Sequence, residues 1–191
     1  MAIFSPRVTS DGIWQNPKWY ADNVFYTSGY GLPNCTCYAW GRFWEIGGGR
    51  PALPTSNGGE WWADALASGA YRTGQVPQVG AVACYEDLDG GAGHVAVVER
   101  VNTDGTLLIS QSAWRRPLTD YPPDMEGYFW TNTTVGKTNM AQWLINGNYA
   151  FQGFIYHPDF PPGPIPPGPG PTPTGIPAWM LFKFKPYMAK R

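Results

Sequence analysis

Residues 33–45 read PNCTCYAWGRFWE, and this stretch decides how the rest of the sequence is interpreted. A loop rich in Gly and Pro precedes Cys35, and an apolar run of helical character follows Cys35 until the glycines that begin at Gly47. Asn34 is a suitable N-cap, so the pattern predicts a helix over residues 35–46 with Cys35 in its first turn. The positive end of the helix dipole favours a thiolate over a thiol at such a position.

A second short helix and a set of strands follow in the sequence. Residues 59–69 have the pattern of a helix that ends at a glycine. Apolar or β-branched runs predict strands over residues 80–85, 93–102, 106–112 and 151–157. Residues 115–150 are ambiguous, with a possible short helix at residues 140–144.

His94 and Gln111 lie on strands that the turn signal Thr103-Asp104-Gly105 joins into an antiparallel hairpin. Counted from Asp104, His94 is ten residues back and Gln111 is seven residues forward. The two side chains therefore meet only through a bulge or a diagonal contact. A cysteine, then a histidine, then a polar residue on the next strand is the order found in papain-like thiol hydrolases. For the other histidine, His157, we expect a structural or surface role.

These motifs resemble a CHAP domain, the cysteine, histidine-dependent amidohydrolase/peptidase of phage endolysins and bacterial wall hydrolases. The resemblance rests on NCTCYAWGRFWE, GHVAVVERV, ISQSAW and FQGFIYHP in that order. It implies an α+β, papain-like (NlpC/P60-like) fold with N-terminal helices packed on an antiparallel β-sheet. It also implies that Cys35 is the nucleophile, His94 the general base and Gln111 the residue that orients it. Similar enzymes carry Glu or Asn at the last position.

The function that this resemblance implies is that of an endolysin that cleaves an amide bond in Gram-positive peptidoglycan. We expect it to act as a monomer without a cofactor or metal. Substrate contacts are predicted at Asn34, Tyr30 and Trp114, and the first two are candidate second donors to an oxyanion. No signal-peptide pattern is found at the N-terminus, so we expect the protein in the host cytoplasm before release.

Two alternatives remain open from the sequence. One is a catalytically silent wall-binding or virion structural module on the same scaffold, which the Gln at position 111 keeps open. The other is a bacterial enzyme that remodels its own wall, which the lack of a signal-peptide pattern disfavours.

Composition narrows the classes of partner. Charged residues make up 14% of the 191 residues and the net charge is −1, so no basic surface attracts nucleic acid. The ten Trp and eleven Tyr serve a core or an aromatic groove for a sugar–peptide polymer.

Three cysteines are an odd number, so they do not form a secreted disulfide framework. We expect Cys37 and Cys84 to be small buried apolar residues.

The acidic stretch Asp87-Leu88-Asp89-Gly90 does not fit a calcium-binding EF-hand loop, because the twelfth position is Val98 rather than Glu. It is interpreted as an acidic surface turn.

Three regions are predicted along the chain. Residues 1–158 form the catalytic domain, residues 159–177 a Pro/Gly-rich linker, and residues 178–191 a short aromatic and basic tail. The linker prediction rests on composition, because ten of the twenty prolines lie between Pro158 and Pro177. The tail either docks on the domain or contacts the anionic cell envelope.

Overall fold

The computed structural model describes residues 4–7, 12–13, 16–103, 107–112, 130–135 (backbone only) and 149–160. Short 3₁₀ turns at Pro17–Trp19 and Gly58–Glu60 accompany three helices. The helices are α1 (Val24–Thr27), α2 (Cys35–Gly47) and α3 (Trp61–Ser68). The strands are β1 (Thr73–Gly74), β2 (Val82–Asp87), β3 (His94–Val101), β4 (Leu107–Gln111), β5 (Trp130–Val135) and β6 (Tyr149–Ile155). Helices thus come before a run of strands, as predicted.

The helix ends follow the local sequence signals. The Asn34 side chain caps α2, and Gly48 ends that helix with a positive φ of 72°. Gly69 ends α3 in the same way, with φ of 61°. Glycine adopts this left-handed conformation without the steric cost that a Cβ brings. Both predicted helices are therefore confirmed to within about one or two residues at each end.

In the described part of the chain, the strands form one antiparallel sheet in the order β1-β6-β2-β3-β4-β5. The strands predicted before residue 113 and the closing strand are confirmed. Strand β5 was not predicted, because it lies in the stretch that the sequence left ambiguous. The suggested helix at residues 140–144 lies outside the described residues, as does the centre of the turn at Asp104.

The central strands of the sheet are buried on both faces. On one face, Val95 and Val97 of β3 pack with the aromatic side of α2, including Tyr38 and Trp40. On the other face, Ala96 and Val98 belong to a second cluster that contains residues of β2, β4 and β6. The predicted α+β fold, with N-terminal helices packed on an antiparallel sheet, is confirmed.

The first and last described residues meet on the surface of this fold. The rings of Phe4 and Phe160 lie 5.2 Å apart in an edge-to-face arrangement. Phe160 also packs against the ring of His157 at 5.6 Å. The predicted linker from residue 161 onward and the tail lie outside the described residues. Within the described ranges, no helix combines the length and the apolar character that crossing a membrane requires.

Candidate active site

Cys35 is the first residue of α2, and the predicted cap on that helix is present. The Asn34 side-chain oxygen accepts a hydrogen bond from the Cys37 backbone N–H at 2.9 Å and another from the Thr36 hydroxyl at 2.6 Å. Asn34 has the extended backbone that an N-cap requires, with φ of −161° and ψ of 133°. The cap therefore fixes the point at which the helix begins and the thiol sits.

The pKa of the Cys35 thiol reflects two opposing effects. Burial raises the pKa of its thiol, while backbone hydrogen bonds from Val95, Thr36 and Cys35 itself act to lower it. The helix start contributes as expected, but removal of the sulfur from water disfavours the charged form by more. Burial therefore opposes the thiolate that the helix start favours. A neutral thiol needs a base that takes its proton during the reaction.

The hydrogen bond from the Val95 backbone also shows where the sulfur lies. Val95 is the second residue of β3 and follows His94 directly. The thiol at the start of α2 is thus placed beside the start of β3. The thiol therefore lies next to the residue that follows His94, although α2 and β3 are far apart in the sequence.

His94 and Gln111 make a direct hydrogen bond inside the protein. The distance from His94 Nε2 to Gln111 Oε1 is 2.7 Å, and the two residues are only 3% and 2% exposed. With the amide oxygen facing the ring, Nε2 carries the hydrogen and Nδ1 keeps its lone pair. In this tautomer Nδ1 is the ring nitrogen that can accept a proton from a thiol.

The hairpin register explains how the two side chains meet. Near the turn, Arg100 pairs with Leu108, and both lie four residues from Asp104. A bulge at Glu99 then shifts the register by one residue, so that Val97 pairs with Ser110. Continued along the strands, this register leaves His94 and Gln111 two residues apart, a diagonal contact on one face. The difference of three residues in the counts from Asp104 is therefore explained. The bulge accounts for one residue, and the diagonal contact accounts for the other two.

Tyr85 flanks the histidine from the other neighbouring strand, and the sequence did not single it out. Tyr85 of β2 pairs directly with His94, and their rings lie 6.3 Å apart. Its hydroxyl and the Nε2 of Gln111 are buried and have no hydrogen-bond partner among the described residues. Strand alternation alone could have placed Tyr85 beside His94, had the β2–β3 register been known.

The predicted substrate contacts fall in three different situations. The side-chain oxygen of Asn34 is engaged in the helix cap. Tyr30 is 56% exposed in the turn before α2, within reach of a ligand in solution. Trp114 lies outside the described residues. The structure therefore joins His94 to Gln111 and places the Cys35 thiol beside Val95, and it leaves the remaining contacts as predictions.

A buried ion pair, also missed from the sequence, joins the two elements that carry Cys35 and His94. Arg42 of α2 donates to both carboxylate oxygens of Glu99 on β3, at 2.9 and 2.7 Å. The Ser110 hydroxyl and the Arg7 backbone N–H also donate to this carboxylate, at 2.6 and 2.9 Å. Charged groups this deep in a protein are normally paired. A signal was present, since Glu99 directly follows the apolar run of residues 95–98 within β3.

The other predictions concern cysteines, histidine and metal. Cys37 and Cys84 are fully buried free thiols, as expected. His157 is buried, with Nε2 3.1 Å from the Phe43 carbonyl, which is a structural role. Asp87 accepts from the Asp89 backbone N–H in a turn, as the acidic-turn interpretation requires. Among the described residues, no cluster of three or more His, Cys, Asp or Glu could hold a metal ion.

Comparisons with known proteins match part of this chain. Residues 25–113 match the CHAP domain family, which confirms the resemblance. The probable autolysin SsaALP of Staphylococcus aureus is 36% identical over 96 residues, which are 50% of this chain and 33% of that protein. The N-acetylmuramoyl-L-alanine amidase sle1 of Staphylococcus epidermidis is 35% identical over 97 residues, 50% of this chain and 28% of that one. This chain thus spans about a third or less of these relatives.

A solved structure is also similar in part. The crystal structure of an N-acetylmuramoyl-L-alanine amidase from Staphylococcus aureus aligns with 63% of this chain and 31% of its own, at 24% identity and a TM-score of 0.40.

Proposed function

Because residues 25–113 match the CHAP domain family, we propose that this protein hydrolyses an amide bond of peptidoglycan with Cys35 as the nucleophile. The observation that carries the proposal is the 2.7 Å bond between His94 and Gln111, with the Cys35 thiol against the backbone of Val95, the residue after His94. A nucleophile, a base and a group that orients the base are the three parts that thiol catalysis requires.

In the proposed mechanism, His94 Nδ1 takes the proton of Cys35 as the thiolate attacks the amide carbonyl. The backbone N–H of Cys35 at the helix start donates to the oxyanion. His94 then gives the proton to the leaving amine, and water cleaves the thioester. Tyr30 is a candidate for the second donor to the oxyanion.

Gln111 makes this site different from one that carries Glu. Its neutral amide orients the imidazole but does not compensate the charge of an imidazolium. Together with the raised pKa of the Cys35 thiol, this supports proton transfer during the attack rather than a stable thiolate–imidazolium pair at rest.

The bond and the biological setting are finer parts of the proposal. One relative is named as an N-acetylmuramoyl-L-alanine amidase, so the MurNAc–L-Ala bond is the first to test, before peptide bonds of the stem or bridge. Mass spectrometry of digested Gram-positive wall distinguishes these bonds.

The endolysin hypothesis places the protein in the host cytoplasm until release. Lysis of a Gram-positive host only when its membrane is permeabilised from within would support it.

A second candidate is a wall-binding module without activity on the same scaffold. The neutral Gln111 and the raised pKa of the Cys35 thiol favour it, because both weaken the nucleophile. A zymogram on Gram-positive wall separates the two candidates, since a binding module produces no clearing.

The deciding experiment compares three cysteine variants in a wall-lysis assay. Cys35→Ser should abolish lysis, because a hydroxyl is a poor nucleophile beside a base suited to a thiol. Cys37→Ser and Cys84→Ala are the controls, and both should keep activity. Iodoacetamide should label Cys35 first, since the other two thiols are fully buried. Lysis by the Cys35→Ser protein at more than a few per cent of wild type would disprove the assignment.

A further inference from the structure

The turn at residues 57–60, called here the glycine turn, lies directly against the backbone of His94. Gly58 is buried, and a Cβ on it would lie 3.1 Å from the His94 nitrogen and 3.2 Å from its Cα and carbonyl carbon. Contacts this short are tighter than most Cβ atoms make. Backbone atoms of a buried strand cannot rotate aside as a side chain can. Any side chain at Gly58 therefore pushes His94 away.

The glycine turn also holds the residue before the histidine. A Cβ on Gly93 would lie only 2.2 Å from the Gly59 nitrogen and 2.6 Å from the Tyr85 carbonyl. The Gly59 N–H donates to the Ala92 carbonyl at 2.8 Å, so backbone contacts backbone here. On its other side, the Gly59 carbonyl accepts from Gln152 Nε2 at 3.0 Å. The turn is thus fixed to β6 and fixes residues 92–94 in turn.

We propose that Gly58 is a positioning residue, because its missing side chain sets where the His94 ring stands relative to Cys35 and Gln111. This inference rests on the proposed function. The bond between His94 and Gln111 is short, so a backbone shift of a few tenths of an ångström changes its geometry. A misplacement of about 1 Å can reduce a rate about 10²-fold, so this smaller shift should reduce kcat roughly 5- to 20-fold.

The kinetic test compares Gly58→Ala with Gly49→Ala on soluble fragments of Gram-positive wall. Gly49 is the matched control, because a Cβ there meets nothing within 4 Å and its φ is ordinary. Gly58→Ala should lower kcat with little change in KM, while Gly49→Ala should leave both unchanged. Equal kcat values for the two variants would overturn the proposal.

NMR of the histidine rings tests the same inference without a substrate. The chain contains two histidines, so His157 serves as the internal control for His94. Gly58→Ala should move the Hε1 resonance and titration curve of His94 and leave those of His157 in place. If the wild type cuts no wall and the His94 resonance still shifts, the placement by Gly58 stands and the hydrolase assignment is wrong. An unshifted His94 resonance refutes the placement.

If Gly58→Ala does not fold, Gln152→Ala takes its place. That change removes the bond to the Gly59 carbonyl without adding an atom at the glycine turn. It should shift the His94 resonance in the same selective way, and a spectrum in which only His157 responds would contradict the proposal.

Discussion

Replacement of Glu99 by Gln should destabilise the fold strongly, because the carboxylate is fully buried and accepts four hydrogen bonds. Two donors face each oxygen: Arg42 and Ser110 on Oε1, and Arg42 and the Arg7 N–H on Oε2. An amide has only one acceptor oxygen, so its NH₂ group must face two donors. The Arg42 guanidinium also loses its buried countercharge, although Glu45 remains 2.6 Å away.

The size of the effect follows from the burial of the pair. The side chains of Arg42 and Glu99 are 6% and 0% exposed. Breaking a pair at this depth by changing one partner costs about 3–5 kcal/mol. For a protein of this size, about 1 kcal/mol lowers the melting temperature by roughly 2–4 °C, so a fall of about 6–20 °C is expected.

Urea denaturation followed by tryptophan fluorescence measures this change, with unchanged m-values as the condition for comparing free energies of unfolding. Glu86→Gln is the matched control, because Glu86 is exposed on the same sheet, and it should leave the unfolding midpoint unchanged. A double variant, Glu99→Leu with Arg42→Met, should lose less stability than the sum of its single changes. A Glu99→Gln protein within about 1 kcal/mol of wild type would refute the reasoning about the buried pair.

Three further predictions concern turnover, pH and the domain boundary. Gln111→Ala should lower turnover, though less than Cys35→Ser does, and full activity of this variant would mean that another group holds the histidine. Gln111→Glu should move the acid limb of the pH–rate profile to higher pH, because a carboxylate stabilises imidazolium. Burial lowers the pKa of His157 below its ordinary 6.5, so the unfolded chain binds the proton first and wild-type stability should fall as pH drops below about 6.5. That slope should be smaller in His157→Gln, as urea titrations at several pH values would measure. A chain that ends at Phe160 should have a higher melting temperature than one that ends at Pro158, because the Phe160 ring packs on the fold. If the remaining tail is an envelope anchor, either truncation should weaken binding to sacculi, and the loss should be greatest at low salt.

The parts of the site that sequence could predict are those with local causes. The cap at Asn34 and the start of α2 depend on a few neighbouring residues, and both were found. The contact of His94 with Gln111 required only a turn signal and a count along two strands. The bulge was expected in kind, although its location at Glu99 needed the structure.

The parts that sequence did not predict depend on residues that are distant in the chain. Arg42 and Glu99 are 57 residues apart, and the local sequence around either residue does not predict its partner. Gly58 has no motif of its own in the sequence, since its proposed role comes from the close approach of His94, which lies 36 residues further along the chain. The raised pKa of the Cys35 thiol has the same origin, because tertiary packing rather than the helix start decides its burial.

The contact between Phe4 and Phe160 brings the two ends of the described fold together. Since one extended residue spans about 3.3–3.6 Å, a short linker could join these two positions. New ends could then be opened after the exposed Gly69, between Cys35 and His94. In such a circular permutant the histidine would precede the cysteine along the chain, and the chemistry would still depend only on where the two side chains meet.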